Sequence, residues 1–290
     1  MLWELRRLRR RATWSRPQLE AHQHKRCAQL RTRAYAESRF YQDFHAGYAD
    51  APLHELPVLT KAMMREHFDE IVTDASITKE KLDQYTPTMH PDDWLHDRYV
   101  VATTAGTTGA PAHMLYARAE WATALASFAR FEDHVGSLWG AWQRPKMAVV
   151  ASNTPWHISA RMGATVRSSW LPMLRLDIGQ PLSQIVAELN AWQPYLLATY
   201  ASMAGVLAEE QRAGRLHIAP RRIVTAAEVL SPALRQRVQS VWGDIVFGQY
   251  GATEGGIFAA ECPAHGIVAH EDGARDSAGA TSCRQTGGLH

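Results

Sequence analysis

From residue 98 onward, short apolar runs alternate with stretches in which apolar residues return every three or four positions. RYVVATT (98–104) reads as a buried strand and AHMLY (112–116) as a second, with a polar loop between them. Residues 118–135 read as a helix and MAVVA (147–151) as another strand. Leu182, Ile185, Val186 and Leu189 fall on one face at i, i+3, i+4 and i+7, the spacing of an amphipathic helix. YLLATY (195–200), RRIVTA (221–226) and DIVFGQ (244–249) continue the strands, and 201–213 supplies a helix between the first two. Ser231–Pro232 opens a further helix that runs to Trp242. A hydroxyl cap is followed there by the residue whose missing N–H costs nothing in a first turn. Strands spaced by helices in this way predict an α/β fold of layered mixed and parallel sheets flanked by helices.

The two ends read differently. Leu5, Leu8, Trp14, Leu19, Cys27, Leu30, Tyr35 and Phe40 recur at roughly helical intervals among charged residues, which predicts amphipathic helices docked on the remainder. LHELPVLTK (53–61) reads as an extended, proline-punctuated connection, and Lys61 to Glu70 as a short helix. After Asp272 the chain runs DGARDSAGATSCRQTGGLH, aperiodic and almost without large apolar residues, so a disordered or frameshifted tail is expected. The organisation is thus an N-terminal helical region over 1–97, an α/β core over 98–272 and a tail over 273–290.

Bulk properties narrow the class. The 290 residues are 46% hydrophobic and 21% charged, ordinary for a soluble globular protein. No apolar run approaches the ~18 residues of a membrane helix, and no secretory signal is recognisable. Three widely spaced cysteines (Cys27, Cys262, Cys283) fit a reducing compartment, so the cytoplasm is expected. Residues 1–40 carry eleven Lys/Arg against three Asp/Glu, whereas the rest carries twenty against twenty-six. A basic end can serve nucleic acid or an acidic partner. The arginines lack glycine-rich or aromatic-interleaved context, which favours docking over nucleic acid.

Two stretches carry chemistry. TTAGTTGAP (103–111) has two glycines that can turn backbone N–H groups around an anion, and four threonine hydroxyls suited to phosphate oxygens. It is no Walker loop, which needs a lysine and a following helix. QYGATEGG (249–256), directly after a predicted strand, offers a flat Tyr250 ring for stacking on a base and Gly251 for close backbone approach. Thr253 supplies a hydroxyl, and Glu254 a hard carboxylate able to hold Mg2+ beside phosphates. Taken singly, each stretch also reads as a plain polar turn. His157, in TPWHISARMG, is a weaker candidate for an acyl pocket, and a packed or surface histidine is the plainer reading. Cys262, His265, His270 and Cys283 match no standard zinc spacing, so zinc is not expected.

Together and in this order, the two stretches resemble the hallmark motifs of the adenylate-forming enzymes, the acyl/aryl–coenzyme A ligase superfamily. Thr104–Ala105–Gly106–Thr107–Thr108–Gly109–Ala110–Pro111 resembles the loop [ST]-[ST]-G-[ST]-[ST]-G-x-P, with Ala105 in place of a hydroxyl residue. Tyr250–Gly251–Ala252–Thr253–Glu254 matches Y-G-x-T-E throughout. Leu56–Pro57–Val58–Leu59–Thr60–Lys61 and Ala226–Ala227–Glu228 are similar to segments of the phenylacetate–coenzyme A ligase branch, with Ala226 replacing a usual glycine. AECPAHGIVAHED resembles the branch's segment after Y-G-x-T-E, although Val268 falls where a histidine is expected. The resemblance spans roughly residues 15–272.

The resemblance implies ATP-dependent activation of a small carboxylic acid to an acyl-adenylate, followed by capture by coenzyme A. It implies that Thr104, Gly106, Thr107, Thr108 and Gly109 grip phosphates, and that Tyr250 and Gly251 meet adenine with the 226–228 backbone beside it. Ala227 and Glu228 are the cofactor-side residues of that segment. Thr253 then touches the α-phosphate and Glu254 holds Mg2+. Beyond Asp272 the sequence offers no match to the family's ribose-binding aspartate, hinge and lysine-bearing C-terminal lid. A partial or weakly active form is therefore expected, with a homodimer or a separately encoded C-terminal domain among its partners. Two alternatives stand: a non-catalytic basic-helix module binding nucleic acid or an acidic partner, and an adenylating enzyme with an amine or carrier-protein acceptor.

Overall fold

The computed structural model describes residues 2–104, 111–135, 145–166, 171–262 and 266–269, with residues 131–135 and 266–269 described by backbone alone. Six helices come first: α1 (Leu2–Arg11), α2 (Arg16–Glu37), α3 (Arg39–Phe44), α4 (Lys61–Glu66), α5 (Phe68–Ile71) and α6 (Lys79–Tyr85). β1 (Tyr99–Thr103) and β2 (His113–Ala117) then pair antiparallel as a two-stranded sheet, and α7 (Arg118–Val135) follows. A second sheet is built from β3 (Met147–Ala151), β4 (Met173–Asp177), β5 (Leu196–Thr199), β6 (Arg222–Thr225), β7 (Val246–Ala252), β8 (Gly256–Cys262) and β9 (Gly266–Ala269).

Its strand order is β4-β3-β5-β6-β7-β8-β9. The first five run parallel, and β8 and β9 are added antiparallel. The parallel strands are joined by α8 (Ile158–Thr165), α9 (Leu182–Trp192), α10 (Ala201–Arg212) and α11 (Pro232–Trp242). The sequence explains why these runs are continuously apolar. Leu197, Ile223 and Val246 pack on one face with Ile185, Leu189, Leu207 and Val238 of the helices. Leu196, Val224 and Phe247 fill the other face. A parallel strand covered on both sides has no polar face to show.

A separate cluster lies under the small sheet. Val100, Ala102 and Tyr116 of β1–β2 pack with Trp121, Ala124 and Leu125 of α7, and Ile158 and Met162 of α8 join them. Helix α8 therefore belongs to both layers. Leu5 and Leu8 of α1 close the outside of α7 at Ala126.

Two expectations need correction. Helix α2 fully buries no residue, and Leu30 is 69% exposed, so of the expected stripe only Leu5, Leu8 and Phe40 are fully buried while Trp14, Leu19, Cys27 and Tyr35 are half-buried. Apolar residues on α2 are too thinly spread among Arg, Gln and His to form a continuous face. Its charged surface is instead laced by Arg16–Glu20 and Arg33–Glu37, each at 2.8 Å. The second correction concerns Tyr250 and Gly251. They are strand residues, because β7 runs to Ala252, and the turn is confined to 253–255.

Candidate active site

Thr103 is the last residue of β1. Its N–H donates to the Trp156 carbonyl at 2.8 Å, and it forms a parallel bridge with His157. The glycine–threonine loop therefore leaves the small sheet beside the turn that follows β3. Thr104 is buried: its hydroxyl accepts the Ala112 N–H at 3.1 Å and its own N–H donates to the Ala112 carbonyl at 3.0 Å. Thr104 thus closes the mouth of the loop with side chain and backbone together. Gly106, Thr107, Thr108 and Gly109 lie outside the described residues.

The second motif forms the β7–β8 hairpin. A register shift between Tyr250 and Gly251 marks a bulge that adds local twist. Gly251 is obligatory, since a Cβ there would stand 2.6 Å from the Gly256 carbonyl oxygen. Gly256 has φ +85°, and its Cβ would stand 2.7 Å from Ser127 Oγ. That same Ser127 hydroxyl, on α7, accepts the Ile257 N–H at 3.1 Å. Tyr250 is 68% exposed, its ring tilted 49° to Phe258 at 6.1 Å, so one aromatic face stands open.

Tyr116 joins the two motifs. From β2 its hydroxyl donates to the Thr253 carbonyl, so the strand that leaves the threonine loop holds the turn that carries Thr253 and Glu254. Burial pushes the Tyr116 phenol up in pKa, and the nearby charges of Glu254 and Glu120 push it further. The phenol remains a donor at all ordinary pH values. Glu254 itself is exposed, and no described residue pairs with its carboxylate. A carboxylate left open to solvent suits Mg2+, which keeps several waters and takes one or two carboxylates beside phosphates. Among the described residues no group of three or more His, Cys, Asp or Glu forms a metal cage. Cys262 ends β8, while His265 lies outside the described residues.

The strand ends Ala151, Asp177, Thr199 and Thr225 lie in parallel register at the carboxyl edge of the sheet. That edge is where open α/β sheets bind ligands. Ala226, Ala227 and Glu228 leave β6 there. Ala227 has φ +66°, a left-handed conformation that costs a residue with a Cβ about 1 kcal/mol or more. The Glu228 carboxylate accepts from Ser202 N at 2.8 Å and Ser202 Oγ at 3.0 Å, locking the segment to the start of α10. Its side chain is thereby committed, leaving backbone as what the segment can offer a ligand.

His157 sits immediately before α8, with Nδ1 2.9 Å from Ser152 Oγ. Burial lowers its pKa, so the imidazole is neutral at physiological pH. The Ser152 N–H in turn donates to the Tyr200 hydroxyl oxygen at 3.2 Å, just after β5. Sequence reasoning did not single out Tyr116, Ser127, Ser152 or Tyr200. Each is a common residue type whose role exists only through a partner far away in the chain.

Among solved structures, the fold matches 2-hydroxyisobutyryl-CoA ligase in an open conformation in complex with 2-HIB-AMP and CoA, with a TM-score of 0.61 at 17% identity. The match covers 85% of this chain and 54% of that one. The same ligase in its thioesterification state, in complex with 2-HIB-AMP and CoA, matches at a TM-score of 0.59 and 18% identity, over 90% and 56% of the two chains. The chain shares the α/β fold of the adenylation-type domain of these CoA ligases and spans about half their length. No protein-family profile and no curated protein sequence matches it.

Proposed function

We propose that the chain is the adenylation portion of a phenylacetate–coenzyme A ligase-like enzyme, with 1–97 its helical region and 98–272 its nucleotide-binding core. ATP lies along the carboxyl edge of the parallel sheet. Tyr250 presents its open ring face to adenine, and the 226–228 backbone runs beside the base. Thr104, Gly106, Thr107, Thr108 and Gly109 take the β- and γ-phosphates, while Thr253 meets the α-phosphate. Mg2+ held at Glu254 would neutralise charge developing on the phosphates.

A carboxylate oxygen of the acid forms a bond to the α-phosphorus as the α–β bridging P–O bond breaks, and pyrophosphate leaves with that electron pair. Coenzyme A thiol then captures the acyl group and AMP departs. Such chemistry needs positioning and charge neutralisation rather than a strong base. A neutral His157 beside Ser152 suits a wall of the acid site better than a base.

The observation that carries this reading is the Tyr116–Thr253 bond. It makes one unit of two motifs that are far apart in sequence, at the edge of the sheet where ligands bind. Titration of ATP with Mg2+, together with pyrophosphate exchange over a panel of aryl and aliphatic acids, tests it. We expect Mg2+-dependent ATP binding that weakens about tenfold or more in Glu254→Gln. Folded protein with no ATP binding, or indifference to Glu254→Gln, would refute the reading.

A further inference from the structure

Helix α8 has a glycine in its third-to-last position, although glycine inside a helix costs about 1 kcal/mol relative to alanine. The structure gives the reason. A Cβ on Gly163 would fall 1.2 Å from Nη1 of Arg175, so the guanidinium lies flat against the helix backbone. Arg175 stands in the middle of β4, the edge strand, where the run MLRLD is otherwise apolar up to Asp177.

This guanidinium is poorly engaged. It reaches the Ser159 carbonyl and Asn153 Oδ1 only at 3.3 Å each, longer than good hydrogen bonds, and has five donors to place. No described carboxylate lies within ion-pair distance, and burial alone lowers its pKa. Arg161 is also without an ion pair among the described residues and leaves Nε unpartnered, whereas other guanidinium contacts of the protein are closer. Arg161 reaches the carbonyls of His90 and Asp93, and Arg235 pairs with Glu261.

Arg175 lines a cleft of about 490 Å3 between α8, β4 and the Pro91–Asp92 turn, a volume suited to a small molecule. Ala160, Ala164, Leu171 and Met173 make an apolar wall, and Asn153 lines the cleft beside Arg175. Asn153 lies two residues after the end of β3 and directly follows Ser152, the partner of His157. The cleft therefore holds, beside Asn153 just past the carboxyl end of β3, a cation with no carboxylate partner among the described residues.

We propose that this cleft receives the acid and that Arg175 binds a second carboxylate on it, which makes the substrate class a dicarboxylic acid with an apolar spacer. The inference rests on the adenylation reading for the fate of the first carboxylate. A planar guanidinium donates two parallel N–H bonds to a carboxylate, and the partly buried setting strengthens the pair. Gly163 is the positioning residue that lets the fork lie at the wall instead of across the cleft.

Titration calorimetry with adipate and with its dimethyl ester tests this, in the whole chain and in Arg175→Met and Gly163→Ala, with ATP titrated in parallel. We expect adipate to bind the parent protein at least about tenfold tighter than the ester. We expect Arg175→Met to abolish that preference, Arg175→Lys to restore part of it, and Gly163→Ala to reduce it by shifting the guanidinium. Equal binding of adipate and ester to the parent protein overturns the proposal whether or not any variant folds. So does inorganic phosphate competing as well as adipate, which would mark a general anion site. A retained adipate preference without ATP binding would leave the dicarboxylate site standing and remove the adenylation reading. ATP binding without that preference would do the reverse.

Discussion

Tyr116 packs beside Trp121 with ring centroids 5.4 Å apart, and its hydroxyl emerges from that apolar cluster to meet the Thr253 carbonyl. One side chain thus does two separable jobs, and Tyr116→Phe keeps the first while removing the second. Losing a single neutral hydrogen bond costs about 1 kcal/mol, so the fold should survive with a small drop in unfolding temperature. If the bond positions the Thr253–Glu254 turn, the same variant should weaken Mg2+–ATP binding severalfold, beyond what stability explains. A Tyr116→Phe protein that binds ATP like its parent would show the bond to be structural only. Nothing in AHMLY announced this role: Tyr116 read as one more apolar strand residue, since its partner lies 137 positions away. Glu254 and Tyr250 could be put forward as candidates for the opposite reason, because a motif of contiguous residues carries its own context. Arg175 and Gly163 were illegible, since neither type at that position signals a cleft until β4 and α8 are in contact.

Elements whose apolar residues follow one period were read with bounds close to those observed. Helices α7, α9, α10 and α11 are the examples, and Ser231 caps α11 as expected by accepting the Leu234 N–H. Elements with buried polar residues were missed. Helix α8 hides Arg161 at 1% exposure, and β4 is interrupted by Arg175. β8 was missed because it is covered on both faces and shows no alternation, its pattern running through Ile257, Ala259, Ala260 and Cys262. The hairpin it makes with β7 depends on backbone that only glycine adopts. Gly256→Ala places a Cβ at φ +85° and within 2.7 Å of Ser127 Oγ, the atom that holds the Ile257 N–H. Strain and a displaced hydrogen bond together should cost about 2 kcal/mol or more. Chemical denaturation should show this loss, and hydrogen exchange should localise faster opening at β7–β8. Gly214→Ala is the matched control, since it shares a positive φ of +69° but has nothing within 4 Å of its Cβ. If the two variants lose equal stability, the Ser127 contact contributes nothing.

At the scale of the molecule, the two sheets share few direct contacts, and helices carry the connection between them. Helix α7 covers β1–β2 through Trp121, Ala124 and Leu125, and meets β8 through Ser127. Helix α8 brings Ile158 and Met162 to the same cluster while connecting β3 to β4. Helix α1 then packs Leu5 and Leu8, 7% and 6% exposed, against Ala126 of α7. The basic N-terminal helix is therefore part of the packing that holds the candidate ATP site, and the sequence favoured such docking over a free binding arm. Truncating a buried leucine to alanine costs about 2–5 kcal/mol. For a chain of this size each kcal/mol lowers the unfolding temperature by about 2–4 °C. Leu5→Ala with Leu8→Ala should accordingly lower a single cooperative transition by roughly ten degrees or more, and saturating Mg2+–ATP should raise that same transition. Two transitions in calorimetry, with only the upper one responding to ATP, would mean instead that α1 melts independently of the nucleotide-binding core.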